Sequence, residues 1–390
     1  MSISQTADRL LSNAITDGAV PGVVAGATDR DGNLYLGGFG ERVLGGGEEM
    51  TAGTVGWIAS MTKPLTGAAA MQLVERGQLD LDAPAREVVP ALGEARVLEG
   101  FEEDGTPQTR APRGDITLRH LLTHTAGFSY ETWSASILTY QAATGTPGII
   151  SCQEAALGTP LLFDPGDRWE YGISIDWIGK MVEAVSGQRL GVYFRDHLLE
   201  PLGMRDTAFR ITDGMRARLA KIHQRVDDGS LVPLMDLEMP QDPEVELGGA
   251  GLYGTIGDYL CFIRMMLNGG RVNGEQILAP ETVATMSRNQ MGTCRVVPLK
   301  TVIPPFSNDA DFFPGMPKTW GLTFMINTED TPTGRSAGSL AWAGLANSYF
   351  WIDQAKGVGG AYMTQVLPFA DEKSLPLYLA FESAVYGNLD

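Results

Sequence analysis

The sequence predicts a two-domain α/β fold: an antiparallel sheet flanked by helices, built from both ends of the chain, with a mainly helical domain inserted between them. Three observations carry this expectation. Strand-like runs sit near the two ends, at 22–36 and 316–366; the stretch from about 60 to 310 is mainly helical, with long Gly/Pro-rich connections. A chain of 390 residues is also long enough for two or three domains and a large buried core. The expected division is 1–58 with 316–390 for the sheet domain and 59–315 for the helical one, the active site lying between them.

Taken in order, the N-terminal segment from Ser2 to Leu11 reads as an amphipathic helix capped near Thr6. Residues 22–36 read as a hairpin whose turn is Asp31-Gly32-Asn33. An apolar run, Val55-Gly56-Trp57-Ile58-Ala59, ends at Ser60 and is followed by an Ala-rich helical pattern from Pro64 to Val74. Strand patterns return at 320–326, 348–353 and 359–365, and a last helix is expected from about Lys373 to Tyr386. Segments 129–150 and 290–315 show no clear element. Long loops in compact domains are often functional, so these are expected to rim the acyl and alcohol pockets.

A hydrophobic content of 44% with 19% charged residues suits a globular enzyme. The net charge of −18 argues against nucleic acid or an anionic membrane as partner, since its field repels both. Cys152, Cys261 and Cys294 are odd in number and lack metal-ligand spacing, and so read as free thiols of a reducing compartment. The N-terminus has no basic segment followed by an apolar run, and no apolar stretch approaches membrane-spanning length. The expectation is a cytoplasmic protein.

Ser60-Met61-Thr62-Lys63 is the stretch that bears chemistry. Residues three apart on a helix share a face, so the Lys63 amine can reach the Ser60 hydroxyl. A serine alcohol needs an adjacent base to act as a nucleophile at neutral pH, and a lysine buried at a helix start can lose enough basicity to serve. An S-x-x-K pattern alone is weak. Here a buried strand runs into a buried helix, where a free lysine has no structural purpose.

This frame resembles the serine β-lactamase and penicillin-binding-protein superfamily, in which S-x-x-K opens a central helix, and within it class C β-lactamases and the family VIII carboxylesterases built on that fold. The likeness covers nearly the whole chain. It includes Val74-Glu75-Arg76-Gly77-Gln78-Leu79, Leu121-Leu122-Thr123-His124-Thr125-Ala126-Gly127, Phe163-Asp164-Pro165-Gly166, Tyr171-Gly172-Ile173-Ser174 and Gly248-Gly249-Ala250-Gly251. It implies a tyrosine facing the nucleophile, here Tyr171, whose phenol would be stabilised as phenolate beside a lysine ammonium and would exchange protons with Ser60 and the leaving alcohol. The lactamase branch has Tyr-x-Asn at this point; Ile173 removes that amide donor. Trp342-Ala343-Gly344 matches the Lys-Thr-Gly strand with tryptophan for lysine, and the backbone N–H groups of Leu345 and Ser60 would form the oxyanion hole.

Lys318-Thr319-Trp320 is a rival for that strand, but it lacks the glycine. His120 and His124 stand at i, i+4 as zinc ligands can, yet no glutamate follows His120, and both read as structural. No G-x-S-x-G elbow occurs, and none of the four histidines has a triad context. Tyr253, Tyr130, Trp133 and Phe350 are further pocket candidates beside Trp342, Ala343, Gly344 and Ile173. The expected activity is a serine carboxylesterase for neutral, short-acyl esters, with an acyl-enzyme on Ser60, Lys63 and Tyr171 as a proton-transfer pair, a small-molecule ester as substrate, and neither metal nor organic cofactor. The alternatives use the same site: β-lactam or D-Ala-D-Ala-peptide hydrolysis, acyl transfer, or amide hydrolysis. A non-catalytic β-lactam- or peptide-binding protein is the rival from another class.

Overall fold

The computed structural model describes residues 2–389. Seven strands form one sheet in the order Lys318–Trp320, Met325–Asn327, Leu340–Gly344, Ser348–Asp353, Val358–Met363, Gly22–Thr28 and Asn33–Gly40. Every neighbouring pair is antiparallel. The ends of the chain thus meet in a single sheet, Gly22–Thr28 lying between Val358–Met363 and its own hairpin partner.

Gly22–Thr28 is buried along its whole length because helices cover both faces of the sheet. Side chains of a strand alternate between faces, and Ser348–Asp353 shows which helix takes which face. Phe350 packs against Tyr259 of the helix Ile256–Leu267, ring centroids 5.2 Å apart. Its neighbours Tyr349 and Trp351 instead meet Tyr378 and Phe381 of the helix Ser374–Tyr386, at 4.6 and 6.1 Å. The helix Ile256–Leu267 comes close enough that a Cβ on Gly26 would stand 2.7 Å from Leu260 Cδ1. That approach needs glycine on the strand.

Local details differ from the sequence expectations in four places. The first helix spans Ile3–Thr16 and is capped by Ser2, with Gln5 closing the capping box, rather than starting near Thr6. The run 320–326 is two short strands, Lys318–Trp320 and Met325–Asn327, with a turn closed by Gly321 N–H to the Phe324 carbonyl at 2.8 Å. Gly56–Trp57 pairs with Tyr253–Gly254 outside the main sheet. The segment 129–150 contains a ten-residue helix, Ala135–Thr144, capped by Ser134.

The helix Lys63–Glu75 runs through the centre of the molecule and is buried from Lys63 to Leu73. It packs on the helix Ser174–Ser186 and lies directly over the 321–324 turn, where a Cβ on Gly67 would meet Thr323 Oγ1 at 2.6 Å. A helix apolar all round belongs in a core, and its N-terminus is where the nucleophile stands.

Candidate active site

Ser60 sits on a single 3₁₀ turn, Ala59–Thr62, from which the α-helix starts at Lys63. Side chains three apart eclipse on a 3₁₀ turn, so Ser60 and Lys63 stand directly over one another. Ala59 enters the turn with φ of 45°, a left-handed conformation costly for a residue with a Cβ. Surrounding hydrogen bonds hold it there. The Ile58 N–H donates to the Leu252 carbonyl at 3.0 Å, and Leu252 N–H donates to Thr62 Oγ1 at 3.1 Å. Tyr259 donates to the Met61 carbonyl at 3.0 Å, and Thr66 to the Gly248 carbonyl at 2.6 Å. The Gly-rich 248–252 segment therefore clamps the turn from outside.

Lys63 is fully buried. Its Nζ lies 3.0 Å from Ser60 Oγ, 3.1 Å from the Tyr130 hydroxyl and 2.8 Å from the Gly249 carbonyl. Burial pushes the amine down to about 7, against the upward pull of the Asp176 carboxylate. Asp176 lies on the first turn of the helix Ser174–Ser186 with no exposure. It accepts the Gly249 N–H at 2.8 Å and the Tyr130 hydroxyl at 3.4 Å. Nothing in the sequence reading singled out Asp176. The available signal was a carboxylate between Ile175 and Trp177, the one charged residue among the buried positions of its helix.

Tyr171 stands across from the nucleophile, its ring centroid 4.6 Å from Lys63 Nζ. Its hydroxyl oxygen accepts the Trp342 indole N–H at 3.0 Å. Burial holds the phenol well above its ordinary range, while Ser60 and Trp342 pull it back towards that range. Burial thus works against the expected phenolate, because it disfavours the charged forms of both Lys63 and Tyr171. His124 backs the tyrosine, with ring centroids 4.9 Å apart, and its carbonyl accepts the Glu170 N–H at 2.9 Å. Burial, and then Lys63, keep His124 far below its ordinary value, as a neutral packing group. His120 Nδ1 faces the Thr117 N–H at the start of its own helix. Among the described residues no group of three or more His, Cys, Asp or Glu side chains is placed to hold a metal.

Beside Ser60 opens an apolar pocket. The 129–150 segment gives it Tyr130, Trp133, Ile149 and Ile150; the 290–315 segment gives Ile303 and Phe306; Trp57 and Leu345 complete the wall next to the serine. Glu131 is the one charged residue lining it, and its carboxylate accepts the Ile149 N–H at 2.9 Å. Tyr130 and Trp133 are thus where a substrate would meet them, and Tyr130 is also a partner of the lysine. Trp57, Ile303 and Phe306 were not anticipated.

Other pocket candidates fall elsewhere. Phe350 is fully buried between Tyr259 and Phe324 on the far side of its strand. Ile173 is buried at the start of the helix Ser174–Ser186, where its carbonyl accepts the Asp176 N–H. Tyr253 lines an adjoining apolar chamber with Leu237 and Met239, and its hydroxyl accepts the Met239 N–H at 2.9 Å. Trp342 and Ala343 are buried and form no part of the pocket wall, Trp342 acting on Tyr171 instead. Gly344 lets the strand approach the nucleophile turn: a Cβ there would stand 2.3 Å from the Ile58 carbonyl oxygen. The rival Lys318 is engaged away from the site, donating to Asp311 at 3.0 Å and to the carbonyls of Phe312, Phe313 and Met316.

Comparison with known proteins identifies the family and the fold. The chain matches the beta-lactamase family over residues 7–384. The monacolin J acid methylbutanoyltransferase of Aspergillus terreus is 32% identical, the match covering 96% of this chain and 93% of that protein. A lovastatin esterase of Penicillium rubens is 31% identical, with 97% of each chain covered. The solved structure of unliganded simvastatin synthase from Aspergillus terreus superposes with a TM-score of 0.84 at 30% identity, covering 98% of both chains.

Proposed function

The chain belongs to the beta-lactamase family, and we propose that this serine hydrolase or acyltransferase acts on neutral carboxylic esters through an acyl-enzyme on Ser60. One observation carries the reading: a fully buried lysine amine, pushed down to about 7, lies 3.0 Å from a pocket-lining serine hydroxyl. In its neutral form the amine takes the Ser60 proton as Oγ attacks the ester carbonyl. The Ser60 and Leu345 N–H groups receive the developing oxyanion. Tyr171, held as a neutral phenol, supplies the proton the leaving alkoxide needs and draws it back from the Lys63 side. Water or a second alcohol then takes the acyl group by the reverse path.

Neutral substrates are favoured because no cationic side chain lines the pocket and its one charged residue is an acid. Two relatives are named for methylbutanoyl transfer and for lovastatin ester cleavage, which supports a short branched acyl group. Hydrolysis is the primary reading. Acyl transfer to an alcohol is the second, favoured by an apolar pocket wall that solvates an alcohol better than water. Three unpaired thiols support a cytoplasmic site of action, and among the described residues no helix is long and apolar enough to cross a membrane. The test is stopped-flow hydrolysis of p-nitrophenyl esters of graded acyl length, with and without added alcohol. A burst equal to the enzyme concentration, lost in Ser60→Ala, is expected. Added alcohol that raises turnover and yields the new ester would assign transfer. Absence of both a burst and Ser60-dependent turnover with every ester would overturn the reading.

A further inference from the structure

Lys63 has three hydrogen-bond neighbours, and only one of them, Ser60, belongs to the reaction as derived above. The other two, the Tyr130 hydroxyl and the Gly249 peptide, are both held from behind by one side chain. The carboxylate of Asp176 takes the Tyr130 O–H on one oxygen and the Gly249 N–H on the other. Gly249 is therefore gripped on both sides, its N–H by Asp176 and its carbonyl by Lys63. A carboxylate with no solvent exposure is an expensive group to keep in a core. A Cβ on Gly249 would stand 2.7 Å from Asp176 Oδ2, so the close approach also fixes a glycine.

We propose that Asp176 is a positioning residue for the Ser60–Lys63 pair, aiming the lysine amine at Ser60 and exchanging its proton with the lysine through Tyr130. The exchange balances within the three side chains. The Lys63 ammonium gives a proton to the Tyr130 oxygen as the Tyr130 O–H proton passes to Asp176 Oδ2. A neutral amine, an intact phenol and a carboxylic acid remain. The lysine becomes a base without a water having to enter the buried side of the site. The opposed shifts of the two groups agree with one shared proton: burial raises Asp176 and lowers Lys63, while each pulls the other back.

The buried groups His124, Tyr130, Tyr171 and Cys152 facing the pair are shifted away from neutrality. His124 is held neutral far below its ordinary value. Tyr130 and Tyr171 are held well above theirs, and Cys152 is pushed up to about 12. Glu131 acts on Tyr130 from the pocket side. Lys63 and Asp176 are left as the two groups whose proton decides the charge of the site.

This inference rests on the reading of Ser60 and Lys63 as nucleophile and base. The experiment compares pH profiles of kcat/KM for p-nitrophenyl butyrate in the wild type, Asp176→Asn and Tyr130→Phe. Removing the carboxylate withdraws the charge that favours the ammonium, so the acidic limb should move to lower pH. The maximal kcat should fall at least tenfold with KM changed less than threefold. Tyr130→Phe breaks the link while keeping the carboxylate and the Gly249 bond; it should also lower kcat and shift the limb, less than additively with Asp176→Asn. A folded Asp176→Asn enzyme that loses activity with its acidic limb unmoved would make Asp176 a packing residue and overturn the proposal. Wild-type kcat with a wild-type limb would overturn it as well. If Asp176→Asn does not fold, Tyr130→Phe decides alone, an unmoved limb counting against the proposal. An inactive wild type would instead sink the reading of Ser60 and Lys63.

Discussion

The indole N–H of Trp342 donates to the phenol oxygen of Tyr171 at 3.0 Å, and the two rings lie 4.8 Å apart. Trp342, expected from the family resemblance to stand where the lysine of a Lys-Thr-Gly strand would, thus acts on the tyrosine and forms no part of the pocket wall. Trp342→Phe keeps the ring and removes the donor. A single neutral hydrogen bond is worth about 1 kcal/mol, so kcat for a simple ester should fall about fivefold while KM stays within a factor of two. An unchanged kcat would mean that the indole contributes only packing.

Ser60→Ala should lower ester turnover by at least about a thousandfold with the fold intact, as expected when a covalent nucleophile is removed. Circular dichroism and thermal unfolding report the fold, and active-site titration reports the loss. Lys63→Ala and Tyr171→Phe should each be severe. Their combination should be far less than additive, because both serve one proton path. Additive effects in the double-mutant cycle would separate the two residues.

The pH dependence has a definite sign. Burial lowers the Lys63 amine from an ordinary value of 10.5 to about 7, so the free base is populated from about neutrality upward. Below that the ammonium cannot take the Ser60 proton. The kcat/KM for a neutral ester should rise with pH through the region near 7 and then level off. A limb near 10 would mean that the lysine keeps its ordinary basicity in the folded protein.

Selectivity should run against anions. Lys318, the rival for the anchoring position, is spent on Asp311 and three carbonyls, and the pocket presents only Glu131 as a charge. A substrate carboxylate would lose a charge-assisted bond worth about 1.5–3 kcal/mol, roughly ten- to a hundredfold in kcat/KM. Penicillins and cephalosporins should accordingly be far poorer substrates than neutral esters in side-by-side kinetics. Equal values for the two classes would refute this account of the pocket.

Gly344→Ala places a methyl group 2.3 Å from both the Ile58 carbonyl oxygen and Ser348 Oγ. The strand cannot then approach the nucleophile turn. The substitution should cost about 1–3 kcal/mol of stability, as overpacking does, and should reduce activity more than Ala343→Ser in the same strand. Chemical denaturation and ester kinetics on the two variants check this.

Much of the site was legible because its residues are close in sequence. Ser60 and Lys63 are three apart, Trp342 and Gly344 lie within one strand, and each local pattern survives whatever surrounds it. The pocket was legible by segment and less so by residue. Tyr130 and Trp133 line it, whereas Phe350 faces the core: in Ser348–Asp353 alternate side chains serve opposite faces, and both faces are covered by helices. Burial on both sides leaves an apolar strand without the polar/apolar alternation that tells its faces apart.

The sequence by itself determined the meeting of both chain ends in one antiparallel sheet, the serine–lysine turn, and the tyrosine and tryptophan segments that accompany it. The sheet and the serine–lysine turn are read from strand pattern and spacing, the tyrosine and tryptophan segments from the resemblance to a known family. Only the tertiary structure decided the ionisation of the site and the company of Lys63. Burial pushes the Lys63 amine down to about 7 and the Tyr171 phenol up, both against the charge pairing expected of a tyrosine beside a lysine ammonium. Asp176 reaches Lys63 through Tyr130 and Gly249, residues 46 and 73 positions away from it along the chain. No local pattern encodes such a contact, since it exists only when the helices Lys63–Glu75 and Ser174–Ser186 pack together and exclude water between them.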